Sequence, residues 1–130
     1  PILVDVYDST FNINVEKIEK AIKKSNKKVK AIMPVDLFGL PADYNKIQNI
    51  AIKYDLQILE DGAQSFGGKI GNQKACSFGD ISTTSFFPAK PLGGYGDGGA
   101  IFTNDNILKE KIFDIFIKSQ NRLNIKKFRN

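Results

Sequence analysis

Histidine and tryptophan are absent from these 130 residues, and cysteine and methionine occur once each. Without histidine, no serine–histidine or cysteine–histidine couple can form within the chain, and one thiol without an imidazole is a poor donor set for a transition metal. No metal site is expected. The lone Cys76 excludes an internal disulfide framework and suits a reducing cytoplasm. No apolar run approaches the roughly 20 residues that span a bilayer, and no stretch has the build of a secretory signal. No membrane partner is expected.

What is present fits one ordinary domain, with 42% apolar residues to build a core. The net charge of +5 invites a nucleic-acid reading, but its location argues against one. All 14 acidic residues precede Lys118 and are balanced by the 14 lysines up to Lys111. The excess is therefore Lys118, Arg122, Lys126, Lys127 and Arg129, a terminal basic tail rather than a patch on a folded body. Residues 1–117 read as the domain core and 118–130 as that tail, which could begin a connection to a further domain. The chain starts at Pro1 on a strand-like run and stops just past a helical pattern, so both ends are expected to be cuts through a larger protein.

Apolar runs rich in branched residues alternate with segments of helical period, as in an α/β domain. Strands are expected over 2–6, 29–35, 56–59, 81–87 and 100–103. Pro34 should lie near the end of its strand, because proline cannot donate to a ladder. The nearly all-apolar run at 56–59 suits a parallel strand covered on both faces. Asn14 and Asp43 are placed to cap helices whose apolar stripes are Val15, Ile18, Ile22 and Ile47, Ile50, Ala51, Tyr54. Leu108, Ile112, Ile115 and Phe116 predict a last amphipathic helix. No internal repeat, low-complexity linker or second domain is evident.

Ligands of parallel α/β sheets gather at the carboxyl ends of strands. Asp61 sits at one such end, as a turn residue or as an acid awaiting a cationic ligand. At another, Lys90 lies between Pro88 and Pro91 and is followed by Gly93, Gly94, Gly96, Gly98 and Gly99. This order fits neither a Walker loop nor a dinucleotide fingerprint. A lysine so placed has a stiff local backbone and leaves room for a flat ligand.

Together these stretches resemble the sugar-nucleotide aminotransferases of the DegT/DnrJ/EryC1/StrS family, which are fold-type I pyridoxal-phosphate enzymes. The matching segments are residues 34–47, 58–68 and 78–105 and, more loosely, 4–22. The most specific string is Ser85-Phe86 through Lys90, Leu92 and Gly93 to Gly96-Asp97-Gly98-Gly99, downstream of Glu60-Asp61-Gly62-Ala63-Gln64. The resemblance implies a three-layer α/β fold with a mostly parallel sheet, forming part of the large, cofactor-binding domain. It implies Lys90 as the lysine that holds pyridoxal 5'-phosphate and shuttles protons, and Asp61 as the carboxylate paired with the pyridine nitrogen. Gln64 falls beside the ring and its 3-hydroxyl, and Ser85 on the phosphate. A carboxylate that keeps the ring nitrogen protonated strengthens the ring as an electron sink.

The same resemblance implies amino transfer, with glutamate as donor, to a keto-sugar nucleotide for surface glycan biosynthesis. The stretch from Thr83 to Gly93 looks most like the branch acting on 3-oxo sugar nucleotides, UDP-linked 3-oxo sugars among them. A lysine at position 90 favours transamination over the dehydratase branch, which has histidine there. A cytoplasmic homodimer with sites at the subunit interface is implied too. Segments expected upstream of Pro1 and after Asn130 are absent from the sequence, so Asp61, Gln64, Ser85 and Lys90 make half a site. The isolated chain is expected to be inactive or nearly so, with apolar sheet faces left exposed. The alternatives are a non-catalytic remnant of such an enzyme, a nucleotide-binding α/β module, and a nucleic-acid binder acting through its basic tail.

Overall fold

The computed structural model describes the backbone of residues 1–127 and the side chains of residues 1–119. The side chains of the basic tail beyond Ser119, and residues 128–130 altogether, lie outside the described residues.

Helix α1 (Val15–Lys24) starts where expected: Asn14 caps it by accepting a hydrogen bond from the Glu16 N–H at 3.1 Å. Val15 and Ile18 are buried and Ile22 is half-buried, while Lys23 and Lys24 occupy its last turn, where the helix dipole favours cations. Strand β1 (Ala31–Ile32) leads to a single 3-10 turn at Leu37–Gly39. Helix α2 (Tyr44–Tyr54) is capped by Asp43, which accepts from the Lys46 N–H at 3.2 Å, and it buries Tyr44, Ile47, Ile50 and Ala51. It ends at Asp55, in left-handed backbone, which turns the chain straight into β2 (Gln57–Asp61). A small hairpin of β3 (Lys69–Ile70) and β4 (Gln73–Lys74) precedes β5 (Ile81–Ser85), β6 (Gly99–Phe102) and helix α3 (Asn106–Lys127).

The main sheet has the order β1-β2-β5-β6; the first three strands are parallel and β6 runs antiparallel to β5. It is thus the mostly parallel α/β sheet expected. Three details differ from the sequence reading. The strand expected over 2–6 is a single bridge between Val6 and Ile13. Ile2 and Leu3 stay exposed, because no described strand lies beside them. The run at 29–35 pairs regularly only at Ala31–Ile32 and then by one bridge, Val35 to Asp61; Pro34 falls between and supplies a carbonyl to the Asp61 N–H at 3.0 Å. The β3–β4 hairpin was not anticipated. Beyond these, α3 continues through Lys118 to Lys127, so the backbone there is helical.

Strand alternation divides the sheet into two different faces. Ile32, Ile58, Glu60, Ser82 and Thr84 point to the side covered by α1 and α2, where Tyr44 stacks on Phe78 with centroids 4.5 Å apart. The opposite face carries Met33, Val35, Leu59, Asp61, Ile81, Thr83, Ser85 and Ile101. Met33, Val35 and Ile101 are 56%, 39% and 54% exposed, so this apolar face is largely open among the described residues, as expected. Helix α3 stands off its β6 edge across a groove of about 430 Å³ lined by Ile101, Ile112, Phe113 and Phe116. None of the four candidate residues lines that groove.

Candidate active site

Two of the four candidate residues share the open face. Asp61 ends β2 and pairs with Thr83 of β5; Ser85 lies two residues beyond Thr83 and so shares the face. Both are half-buried at the carboxyl ends of adjacent parallel strands. One Asp61 oxygen, Oδ1, accepts from the Ala63 N–H at 3.1 Å and shapes the turn after β2. Its second oxygen has no partner among the described residues. The turn role and the availability for a cation therefore coexist in one carboxylate.

Gln64 lies in the turn that follows. Its Oε1 accepts from the Phe38 N–H at 3.0 Å, which leaves its NH2 group to donate elsewhere. Phe38 itself takes a left-handed backbone, φ 54°, unusual for a bulky residue. Ser85 Oγ accepts from the Phe87 N–H at 3.2 Å and keeps its own proton free. Lys90 sits in a loop folded back on itself by bonds from Phe86 N–H to Gly98 O, Gly94 N–H to Phe86 O and Lys90 N–H to Phe87 O, each 2.8 Å. A Cβ at Gly93 would collide with the Pro88 carbonyl, so this fold of the loop requires glycine there. The Lys90 side chain is half-buried and forms no ion pair among the described residues. The structure thus brings Asp61 and Ser85 onto one face and Gln64 into the adjoining turn. Lys90 sits in the loop after β5, with no hydrogen bond or ion pair to Asp61 among the described residues.

These side chains fit pyridoxal phosphate. A free carboxylate oxygen suits a pyridinium N–H, an unengaged amide NH2 suits a phenolic oxygen, a hydroxyl suits phosphate, and an unpaired lysine suits an aldehyde carbon.

Sequence reasoning missed two fully buried carboxylates on the other face. Glu60 accepts from the N–H groups of Cys76, Phe78 (2.8 Å) and Gly79 (3.1 Å) and from Ser82 Oγ (2.7 Å). Asp36 accepts from the Ala42 N–H (3.0 Å), Tyr44 OH (2.8 Å) and Ser65 Oγ (2.9 Å). No lysine or arginine touches either one among the described residues. Their partners lie 6–29 residues away in sequence, so no local spacing announces them. Gly62 and Cys76 are also matched in size: a Cβ at Gly62 would lie 2.6 Å from Cys76 Sγ. Burial pushes the Cys76 thiol up, and Glu60 adds to that, so Cys76 is no reactive nucleophile.

Burial also raises the pKa of Asp36, against the pull of the Ala42, Tyr44 and Ser65 hydrogen bonds, and the charge of Glu60 adds to the rise. A carboxyl whose folded pKa exceeds its ordinary 3.8 binds its proton more tightly in the folded state. Its contribution to stability is therefore full below 3.8 and is lost as pH rises through the raised value. Urea titrations across pH should show the native chain losing stability relative to Asp36→Asn over that window; parallel curves would contradict this.

The model of the DegT/DnrJ/EryC1/StrS aminotransferase family matches residues 1–130. A UDP-2-acetamido-2-deoxy-3-oxo-D-glucuronate aminotransferase of Pseudomonas aeruginosa is 45% identical over 122 residues, covering 94% of this chain and 33% of that protein. The crystal structure of a DegT DnrJ EryC1 StrS aminotransferase from Brucella abortus superposes with a TM-score of 0.80 at 53% identity, over 85% of this chain and 31% of that one. NtdA from Bacillus subtilis, solved with the cofactor PMP bound, gives a TM-score of 0.71 at 38% identity, over 82% of this chain and 23% of that one. The chain spans about a third of the length of the curated relative it matches.

Proposed function

The chain belongs to the DegT/DnrJ/EryC1/StrS aminotransferase family, and from that premise we propose that it forms the cofactor-binding part of a pyridoxal-phosphate-dependent aminotransferase. The observation that carries the proposal is the pairing of functions at two neighbouring strand ends. Among the described residues Asp61 keeps an oxygen free on the open face, while Lys90, without an ion partner, lies in the loop after β5. A nucleotide-binding module would give this lysine work on a phosphate but would leave Asp61 facing like charge.

When bound, pyridoxal phosphate supplies an electron sink for deprotonation of the amino donor. Asp61 would hold the proton on the ring nitrogen, and Gln64 would donate its NH2 to the ring oxygen. Ser85 would donate to the phosphate. Lys90 would anchor the cofactor's carbonyl carbon and afterwards carry a proton between carbon atoms as general base and acid.

The substrate proposed is a keto-sugar nucleotide, specifically a UDP-linked 3-oxo sugar, with glutamate as amino donor and surface glycan precursors as the destination. Support comes from the 45% identity to the Pseudomonas aeruginosa protein over nearly the whole chain. A cytoplasmic homodimer belongs to the same proposal. No helix among the described residues is long and apolar enough to cross a membrane.

Amino transfer itself tests the proposal. A protein of the relatives' length carrying these residues should convert glutamate and a UDP-linked 3-oxo sugar to 2-oxoglutarate and the amino sugar. The 130-residue chain alone should do so at least a thousandfold more slowly, because residues beyond it complete the site (~4 kcal/mol of barrier at 1.4 kcal/mol per decade). No turnover by the long protein with any UDP-, dTDP- or GDP-linked keto sugar would defeat the proposal.

A further inference from the structure

We propose that Asp36 is a positioning residue for the cofactor site, fixing the amide of Gln64 from the opposite side of the sheet. It rests on the cofactor reading above for the target of that amide, though not for the geometry. Three separate segments converge on the Asp36 carboxylate. The Ala42 N–H comes from the end of the loop after β1, Tyr44 OH from the first turn of α2, and Ser65 Oγ from the residue following Gln64. The Asp36 backbone N–H adds a fourth link, donating to Asp61 O at 3.0 Å. One buried side chain thus joins the end of β1, the Leu37–Gly39 turn and the turn that bears Gln64.

The consequence for Gln64 runs through Phe38. That residue's N–H orients the Gln64 amide by occupying Oε1, and it does so from left-handed backbone. Such a conformation is held against its cost only where the flanks are fixed. Asp36 fixes the loop by gripping Ala42. Asn12 grips it on the other side, accepting from Leu37 N–H at 3.1 Å and donating to Leu40 O at 2.9 Å. A buried carboxylate with only neutral donors is a poor stabiliser compared with a well-packed apolar side chain. What it supplies is direction: three donors held at 2.8–3.0 Å, beside a Gln64 amide whose Oε1 is already engaged by the Phe38 N–H.

Two readouts on the chain test this, one of them independent of cofactor. In amide hydrogen exchange without ligand, Asp36→Asn and the milder Ser65→Ala should speed exchange of the Phe38 N–H at least tenfold. Ile47 and Ile50 in α2 should keep their native protection. Equal acceleration at all three sites, or none at Phe38, would mean Asp36 is a structural residue only. The second readout is a double-mutant cycle by pyridoxal phosphate absorbance titration. Gln64→Ala should weaken binding about five- to tenfold in the native background, the worth of one good hydrogen bond. It should change binding less than twofold once Asp36 is asparagine, or Ser65 alanine if the first variant does not fold. The same factor in both backgrounds would overturn the inference. If the native chain binds no pyridoxal phosphate, the cycle is run in a protein of the relatives' length; no binding there defeats the cofactor reading, and hydrogen exchange then decides the role of Asp36.

Discussion

Replacing Glu60 with alanine should abolish cooperative folding. Its carboxylate is wholly buried and satisfies three backbone N–H groups of residues 76–79 together with Ser82 Oγ. Alanine leaves all four donors without an acceptor. Each unsatisfied buried donor costs about 1–3 kcal/mol. The sum, on the order of 5 kcal/mol or more, is comparable to the whole stability of a small domain. Glu60→Gln is the informative partner variant. It keeps the shape and one acceptor oxygen, but its NH2 must face a donor, so a loss of about 2–4 kcal/mol is expected. Urea unfolding followed by far-ultraviolet circular dichroism checks both. A Glu60→Ala chain with a native midpoint would show that water, rather than this carboxylate, satisfies the loop.

The second large effect is expected on cofactor affinity. Asp61→Asn keeps an oxygen for the Ala63 N–H and so preserves the turn seen at 3.1 Å. It removes only the charge that would face a pyridinium. Hydrogen bonds to charged groups contribute about 1.5–3 kcal/mol, so pyridoxal phosphate should bind about thirtyfold more weakly. Asp61→Glu, which restores the charge at a different reach, should recover part of it. Fluorescence or absorbance titration measures both. Unchanged affinity in the asparagine variant would leave Asp61 as a turn residue and nothing more.

How much of this was readable beforehand depended on the range of the interactions involved. Helix starts at Asn14 and Asp43 were legible because a cap is a bond over two or three residues, and both are made. The strands expected over 56–59 and 81–87, found at 57–61 and 81–85, were legible from the β-branched and apolar residues of those runs, though their ends shift by one or two residues. The run at 2–6 has the same look, but a strand also needs a partner. Leu3 is 92% exposed, and the described residues place nothing beside it. The hairpin at 69–74 is two residues a side and mostly polar, too short to leave a period.

The site divides in the same way. Asp61 stood out at an expected strand end and Lys90 by its flanking prolines and glycines, whereas Gln64 and Ser85 were assigned by the family resemblance alone; β2 does end at Asp61 and β5 at Ser85. Asp36 and Glu60 did not stand out, because their meaning lies in backbone N–H and hydroxyl donors brought from 6–29 positions away. Exposed apolar sheet faces were an expectation, and Met33, Val35 and Ile101 stand exposed on the face that carries Asp61 and Ser85.

The central claim is that Lys90 is the residue that takes the cofactor. Borohydride reduction in the presence of pyridoxal phosphate, followed by peptide mass mapping of the native chain and of Lys90→Ala, tests it most directly. The account predicts one dominant reduced adduct on the peptide containing Lys90 and its disappearance in the variant, with the other lysines labelled only in trace. Labelling spread evenly over the surface lysines, and unchanged by the substitution, would contradict it.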